Sequence, residues 1–255
     1  MFNDKPLETV ANRYSLVKLL GKGGMGSVYS VEDLVHKRQK IALKMIDTRI
    51  LSPESLQRFK REFEIMTRLK HPNLIRVYDL GYDTEIETYY ITMEYLDGLS
   101  VQESIEKYGA FDTDKAISIL VDMCRALEFI HSRGILHRDI NPRNIIASNG
   151  QTKLMDFGLA DSGEGDRKTK GTIAYMAPEI FKGDMDCRTD IYALGCTFYE
   201  ILTGSLFYAN DNAQQIILSL RNQEIFTAHT LGMLDRIENP ELVSILKKMI
   251  IIFLS

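Results

Sequence analysis

Short apolar runs of period two dominate this chain up to about residue 96, and longer stretches with helical spacing dominate after it. Tyr14 to Leu20, Ser27 to Val31, Gln39 to Ile46, Leu74 to Leu80 and Thr88 to Glu94 are rich in β-branched and aromatic residues and predict strands. Gly21 to Gly26 predicts a glycine-rich turn joining the first two into a hairpin. One helix interrupts the series, with Ser52 as N-cap, Pro53 in its first position, and Leu56, Phe59, Phe63 and Met66 as its apolar stripe before an end near Lys70. After the connector Tyr95-Leu96-Asp97-Gly98, the spacing predicts a helix over 112–132 with Ile117, Leu120, Val121, Cys124, Leu127 and Ile130 turned inward. A second helix is predicted over 188–202, with Ile191, Leu194, Gly195, Phe198 and Leu202 inward, and another near 241–250. Between them, 145–147 and 152–155 flank Asn149-Gly150, a hairpin signal. The expected architecture is α+β and bilobal: an extension over 1–11, a β-rich lobe over 12–96 and a larger helical lobe over 97–255.

Composition narrows the function classes. With 255 residues at 45% hydrophobic content the chain can bury a sizeable core. Its 31 basic and 35 acidic residues leave a net charge of -4, which argues against general attraction to nucleic acid or an anionic membrane. Cys124, Cys187 and Cys196 lack metal-site spacing, and Cys124 and Cys196 fall in apolar helical patterns, which predicts buried thiols in a reducing compartment. The first residues lack the pattern of a signal peptide, and no apolar run approaches the ~20 residues of a membrane span. A cytoplasmic protein is therefore expected.

The polar chemistry concentrates in His137-Arg138-Asp139-Ile140-Asn141-Pro142-Arg143-Asn144, where Pro142 disfavours both strand and helix and predicts an ordered loop. Asp156-Phe157-Gly158 follows, and the 145–155 hairpin would bring Asp156 near Asn144, so that Asp139, Asn144 and Asp156 converge on one hard cation. Lys44 sits inside the apolar run Ile41-Ala42-Leu43-Lys44-Met45-Ile46 and needs an anion. Glu62, on the inward face of its helix between Phe59 and Met66, is the carboxylate that suits it. Gly21-x-Gly23-Gly24-x-Gly26-x-Val28 alone also fits dinucleotide-binding folds, but those start a helix at the glycines, whereas Ser27 to Val31 favours a strand. A flap whose backbone amides cover phosphates is the expectation. His131 is expected to cap carbonyls at its helix end, and Asp190 to suit the dipole of the next helix.

In this order and context, these motifs resemble the eukaryotic-type (Hanks-type) serine/threonine protein kinase family, bacterial branch included, over roughly residues 12 to 250. The resemblance implies ATP and Mg2+ as cofactors, protein substrates with Ser/Thr acceptors, and transfer of the γ-phosphoryl group in signalling. It implies Asp139 as the group that orients the acceptor hydroxyl and takes its proton, Asn144 and Asp156 as magnesium ligands, and Lys44 on the α and β phosphates, held by Glu62. Leu20, Val28, Ala42 and Ile146 would sandwich the adenine, with Met93 at the back and the Glu94 to Leu96 backbone along its edge; Gly21, Gly23, Gly24 and Gly26 would cover the phosphates. Gly171-Thr172 ahead of Tyr175-Met176-Ala177-Pro178-Glu179 resembles the serine/threonine class, with Thr172 supporting Asp139. Arg138 would clamp a phosphate on the activation segment, for which Thr169 is the best acceptor and Ser162 a weaker one.

Two departures stand out. Asn141 occupies the place where this class usually carries a lysine, so it contributes to catalysis without a positive charge, and Arg143 follows two residues later. The chain also ends at Ser255 without the Arg that relatives pair with the glutamate matching Glu179, which suggests an incomplete helical lobe, an unpaired Glu179 and further domains beyond. These departures motivate an alternative, a weakly active or inactive pseudokinase serving as a nucleotide-binding scaffold. A small-molecule kinase of related fold is a second alternative, disfavoured by Ala177-Pro178-Glu179.

Overall fold

The structure is a computed structural model, and it describes residues 8–23, 26–46, 53–148, 150–156, 173–183, 185–209 and 211–251. The described residues up to Asp97 form one compact unit, and those from Gly98 onward form a second.

The first unit is an antiparallel sheet of order β1-β2-β3-β4-β6-β5, built from β1 (Thr9–Val10), β2 (Tyr14–Gly23), β3 (Gly26–Asp33), β4 (Gln39–Ile46), β5 (Val77–Asp83) and β6 (Thr88–Glu94). Helix α1 (Pro53–Arg68) packs beside β5 and buries Phe59, Phe63 and Met66. The strand after the glycines removes the dinucleotide-fold option, because no helix starts there. Alternation gives the sheet two faces. One carries the cluster Val10, Tyr14, Val31, Ile41, Leu43 and Tyr90, with Tyr14 and Tyr90 edge to face at 5.5 Å. The other carries Val28, Ala42, Lys44 and Met93, which the register sets side by side: Val28 opposite Lys44, and Ala42 opposite Met93.

Two boundaries differ from expectation. The glycine turn expected over 21–26 is shorter, because Gly21 and Gly23 still pair with Val28 and Gly26. The strand expected over 74–80 lies at Val77–Asp83, carried forward by turn chemistry: Asp83 Oδ1 accepts from the amides of Glu85 (2.8 Å) and Ile86 (3.3 Å) and closes the hairpin to β6.

The second unit contains α2 (Val101–Tyr108), α3 (Thr113–His131), the hairpin β7 (Ile145–Ser148) and β8 (Gln151–Leu154), α4 (Cys187–Thr203), α5 (Ala213–Arg221), α6 (Gln223–Leu234) and α7 (Pro240–Ile251). Helix α4 is its centre. Thr189, Asp190 and Tyr192 through Ile201 are all buried, so α4 has no wet face and the stripe expected on it is too narrow; Ile191 and Leu202 are only half-buried. It packs on α3 and on α7. Gly195 permits the second contact, since a Cβ there would meet Ile250 Cγ1 at 2.9 Å and Met249 Cβ at 3.1 Å.

Helix α3 buries Ala116, Ile119, Leu120, Met123, Ala126, Leu127 and Ile130, so Leu120, Leu127 and Ile130 are inward as expected and the buried face is rotated from the expected one. Ile117, Val121 and Cys124 are exposed, so Cys196 is buried as expected and Cys124 is not. The two alanines explain the choice, since small side chains let α3 approach its neighbours closely. Among the described residues, no helix is long and apolar enough to cross a membrane.

Candidate active site

The loop 137–144 is suspended from one carboxylate. Asp190, 1% exposed on the first turn of α4, accepts through Oδ2 from the His137 amide and from His131 Nε2, and through Oδ1 from the Arg138 amide, each at 2.8 Å. Burial alone pushes this carboxyl up; the bonds from His131 and from the two amides reverse that and hold it below its ordinary value. His131 thus serves the loop rather than the end of its own helix. The sequence reading missed the role of Asp190, and its one signal was an acid near the start of a largely apolar helix.

His137 is fully buried and neutral, its pKa lowered by burial. Its Nε2–H donates to the Met155 carbonyl at 2.9 Å, and its Nδ1 accepts from the Asp139 amide at 3.3 Å. The ring therefore ties the loop to the residue preceding Asp156. A second tie runs from the Met155 amide to the Asn144 carbonyl at 2.8 Å. Arg138 and Asp156 both take left-handed backbone, φ 67° and 47°, a strained state that clusters at functional sites.

These ties aim Asp139. Asn141 Nδ2 donates to Asp139 Oδ1 at 3.0 Å, and Asn144 Nδ2 donates to Oδ2 at 2.8 Å. Both amides also reach the Asp139 carbonyl, at 3.1 and 2.8 Å. The Asn141 side chain is thus turned onto Asp139, and its Oδ1 caps the turn Pro142–Asn144 by accepting from the Arg143 amide at 3.0 Å. Because Asn144 donates through its nitrogen, its Oδ1 is an oxygen of the type a hard cation takes, and Asp156 adds a carboxylate nearby in the chain. That donor set suits magnesium bound together with phosphate oxygens. Among the described residues no group of three or more His, Cys, Asp or Glu could hold a metal ion by itself.

In the first unit, Val28, Ala42, Lys44 and Met93 share a face, whereas Leu20 lies in the β2 bulge between Leu19 and Gly21 and is 40% exposed. The Glu94 amide is already donated to the Arg76 carbonyl at 2.9 Å, and Leu96 lies past the end of β6, half-buried. Ile146 lies in β7 of the second unit, bridged to Ser100. Gly98 allows this approach, because a Cβ there would meet Ser148 Cβ at 2.7 Å. Glu62 lies on α1, but its side chain is outside the described residues, as are Gly24, Thr169 and Thr172.

The protein kinase domain family matches residues 14–252. The chain belongs to the protein kinase family. Within it, the chain is 38% identical over 218 residues to the serine/threonine-protein kinase PknB of Mycobacterium tuberculosis (strain ATCC 25177 / H37Ra), covering 80% of this chain and 34% of that protein. It is 32% identical over 250 residues to the probable serine/threonine-protein kinase PknB of Lactococcus lactis, 94% of this chain and 38% of that one. PrkC of Bacillus subtilis is 34% identical over 82% of this chain and 33% of its own length. This kinase chain thus spans about a third of the curated relatives. Among solved structures, Rad53 1-466 in complex with AMP-PNP superposes with a TM-score of 0.73 at 25% identity, over 93% of this chain and 60% of that one. A mutant of the Mycobacterium tuberculosis PknI kinase domain gives 0.65 at 30% identity over 79% and 78%.

In this kinase chain the segment 175–179 is held less fully than the loop 137–144. Glu179 Oε1 accepts from Thr189 Oγ1 at 2.7 Å, while its buried Oε2 has no hydrogen-bond partner among the described residues. Burial raises this carboxyl above its ordinary value. Tyr175 donates its hydroxyl to Glu200 Oε2, and burial raises both groups.

Proposed function

We propose that this chain is an ATP-dependent protein kinase that transfers the γ-phosphoryl group of ATP to serine and threonine hydroxyls of protein substrates, with magnesium as its metal. The observation that carries this reading is the aiming of Asp139: both carboxylate oxygens are oriented by side-chain amides from a loop that is itself hung on Asp190. Phosphoryl transfer asks for this kind of positioning more than for covalent chemistry.

Asp139 receives the proton of the acceptor hydroxyl as its oxygen attacks the γ-phosphorus. Lys44 binds the α and β phosphates and Glu62 steadies it, while Gly21, Gly23, Gly24 and Gly26 cover the phosphates. Leu20, Val28, Ala42, Met93 and Ile146 line the adenine, with the Glu94 to Leu96 backbone along its edge. Asn144 and Asp156 would hold magnesium, which would neutralise charge on the phosphate oxygens. Thr172 supports Asp139, and Arg138 receives a phosphate placed on Thr169. Asn141 orients the base without adding a positive charge, which makes this a slow enzyme relative to one with lysine in that place, by about 30- to 100-fold for a charge-assisted contact. Radiolabelled ATP and magnesium are expected to give autophosphorylation that Asp139→Asn lowers by about 100-fold or more. Equal labelling of the chain and that variant would overturn the enzyme reading in favour of a nucleotide-binding scaffold.

A further inference from the structure

Lys40 has no role in the chemistry above. Side-chain alternation along β4 sets it on the face of Ala42 and Lys44, two residues before Ala42 and opposite Glu32 of β3. Glu32 pairs with Arg38 at 3.1 Å, and the charge of Lys40 turns to a ring instead: its Nζ lies 3.8 Å from the centroid of Tyr95, well within the reach of a cation–π contact. The place of Tyr95 in the chain gives this contact its meaning. The β4–β6 ladder ends with Ile41 opposite Glu94, so Tyr95 lies just past the last paired residues, at the start of the connector. Continuing the register by one step sets Lys40 opposite Tyr95, and ammonium and ring thus prolong the hold of the sheet beyond its last hydrogen bonds. Glu94 is held separately, since its Oε1 accepts from the Arg76 amide at 2.7 Å and its own amide donates to the Arg76 carbonyl at 2.9 Å. The Tyr95 hydroxyl donates to Asp97 Oδ1 at 3.5 Å, a tie within the connector itself. Lys40 supplies the hold on Tyr95 from outside it.

We infer that Lys40 is a positioning residue for nucleotide binding, acting through the Tyr95 ring to hold the Glu94 to Leu96 backbone in the conformation that an adenine edge meets. This rests on the protein kinase reading, which sets ATP along that backbone. Because the Glu94 amide is already given to Arg76, the adenine edge depends on the Glu94 carbonyl and on the backbone of Leu96. These two residues flank Tyr95, so a shift of Tyr95 moves both. Backbone that is fixed before binding loses less freedom when the ligand arrives, and the saving appears as affinity rather than as rate. The ring is half-buried and the lysine exposed, which limits the contact to a few-fold in affinity.

The test measures affinity for ATP, adenosine and inorganic tripolyphosphate by displacement of a fluorescent ATP analogue, and transfer to a peptide by kinetics. Lys40→Met keeps the apolar stem and removes the charge. It is expected to weaken ATP and adenosine by about three-fold each, to leave tripolyphosphate unchanged, and to raise KM for ATP at the same kcat. Lys40→Arg should restore the affinity, because a guanidinium stacks on the same ring. Tyr95→Leu should weaken adenosine by a similar factor, and adding Lys40→Met to it should cost nothing more. Adenosine affinity that is the same in Lys40→Met and wild type overturns the inference, as does a failure of Lys40→Arg to restore it. Losses that add in the double variant, or that fall on tripolyphosphate as much as on adenosine, also overturn it, since Lys40 would then act by its charge on the phosphates. Adenosine binding that depends on Lys40, with no transfer from ATP to any peptide, sinks the kinase reading and leaves the positioning role standing. Transfer with an affinity indifferent to Lys40 does the reverse.

Discussion

Two neighbouring residues on the first turn of α4 hold two segments of the kinase chain in unequal ways. Asp190 accepts three donors, two of them amides of the loop 137–144, while Thr189, one residue earlier, gives one hydrogen bond to Glu179, whose other carboxylate oxygen has no partner among the described residues. Burial pushes both carboxyls up, and Asp190 is the more deeply buried of the two. Only Asp190 offsets it, so its pKa lies below the ordinary value and that of Glu179 above. A buried charge fixes geometry only when its donors are complete; half-complete, it destabilises the fold and leaves room for a missing partner.

Breaking the stronger anchor should have the largest effect. Asp190→Asn substitutes one acceptor oxygen and an NH2 group for a carboxylate that serves three donors. It is expected to cost about 3 kcal/mol of stability and lower the melting temperature by about 10 °C. Activity should fall about 100-fold through misplacement of Asp139. Wild-type melting of Asp190→Asn would mean the loop is held elsewhere. Asn141→Ala removes one of the two amides from Asp139 and the cap of the following turn while leaving Asp190 untouched. Here kcat should drop about 10-fold at nearly unchanged KM for ATP; a matching rise in that KM would place Asn141 in nucleotide binding instead.

The smallest change should equalise the two anchors. Glu179→Gln keeps an acceptor for Thr189 and removes the orphaned charge, so it is expected to stabilise at neutral pH by about 1 kcal/mol, a figure already reduced for partial exposure, or about 2–4 °C in melting temperature. The sign follows from the raised pKa: in wild type the cost is absent below the ordinary glutamate range and grows as pH rises through it toward the folded value. The gain from Gln should therefore vanish near pH 4, about the ordinary glutamate pKa. A gain that persists in acid would assign it to packing.

Much of the fold was legible along the chain. Strands β2 to β6 of the first unit, the helix opening at Pro53 and the Asn-Gly hairpin follow from local propensity and turn chemistry, which act over a few residues, whereas β1 lies in the stretch read as an extension. The short α2 and the pair α5 and α6 escaped notice because their apolar positions are few and their caps, Ser100, Asn212 and Asn222, are side-chain bonds that spacing alone does not reveal. At the site, motif order singled out Asp139, Asn141 and Asn144, and the structure places both asparagine amides within hydrogen-bonding distance of the aspartate. Tyr175, Glu200 and Thr189 carried no signal, since their meaning lies in partners 10 to 59 residues away, as does that of His131.

Local pattern and motif identity were thus enough to establish the family and the α+β architecture and to single out the stretch 137–144, because propensity, glycine placement and the order of polar motifs are properties of neighbours in the chain. Which face of α3 is buried, why α4 is enclosed on nearly every side, where the Asn141 amide points, and that Asp190 anchors the loop were decided by packing. Those outcomes depend on which donors and which apolar surfaces meet after folding, and a one-dimensional pattern carries no record of that.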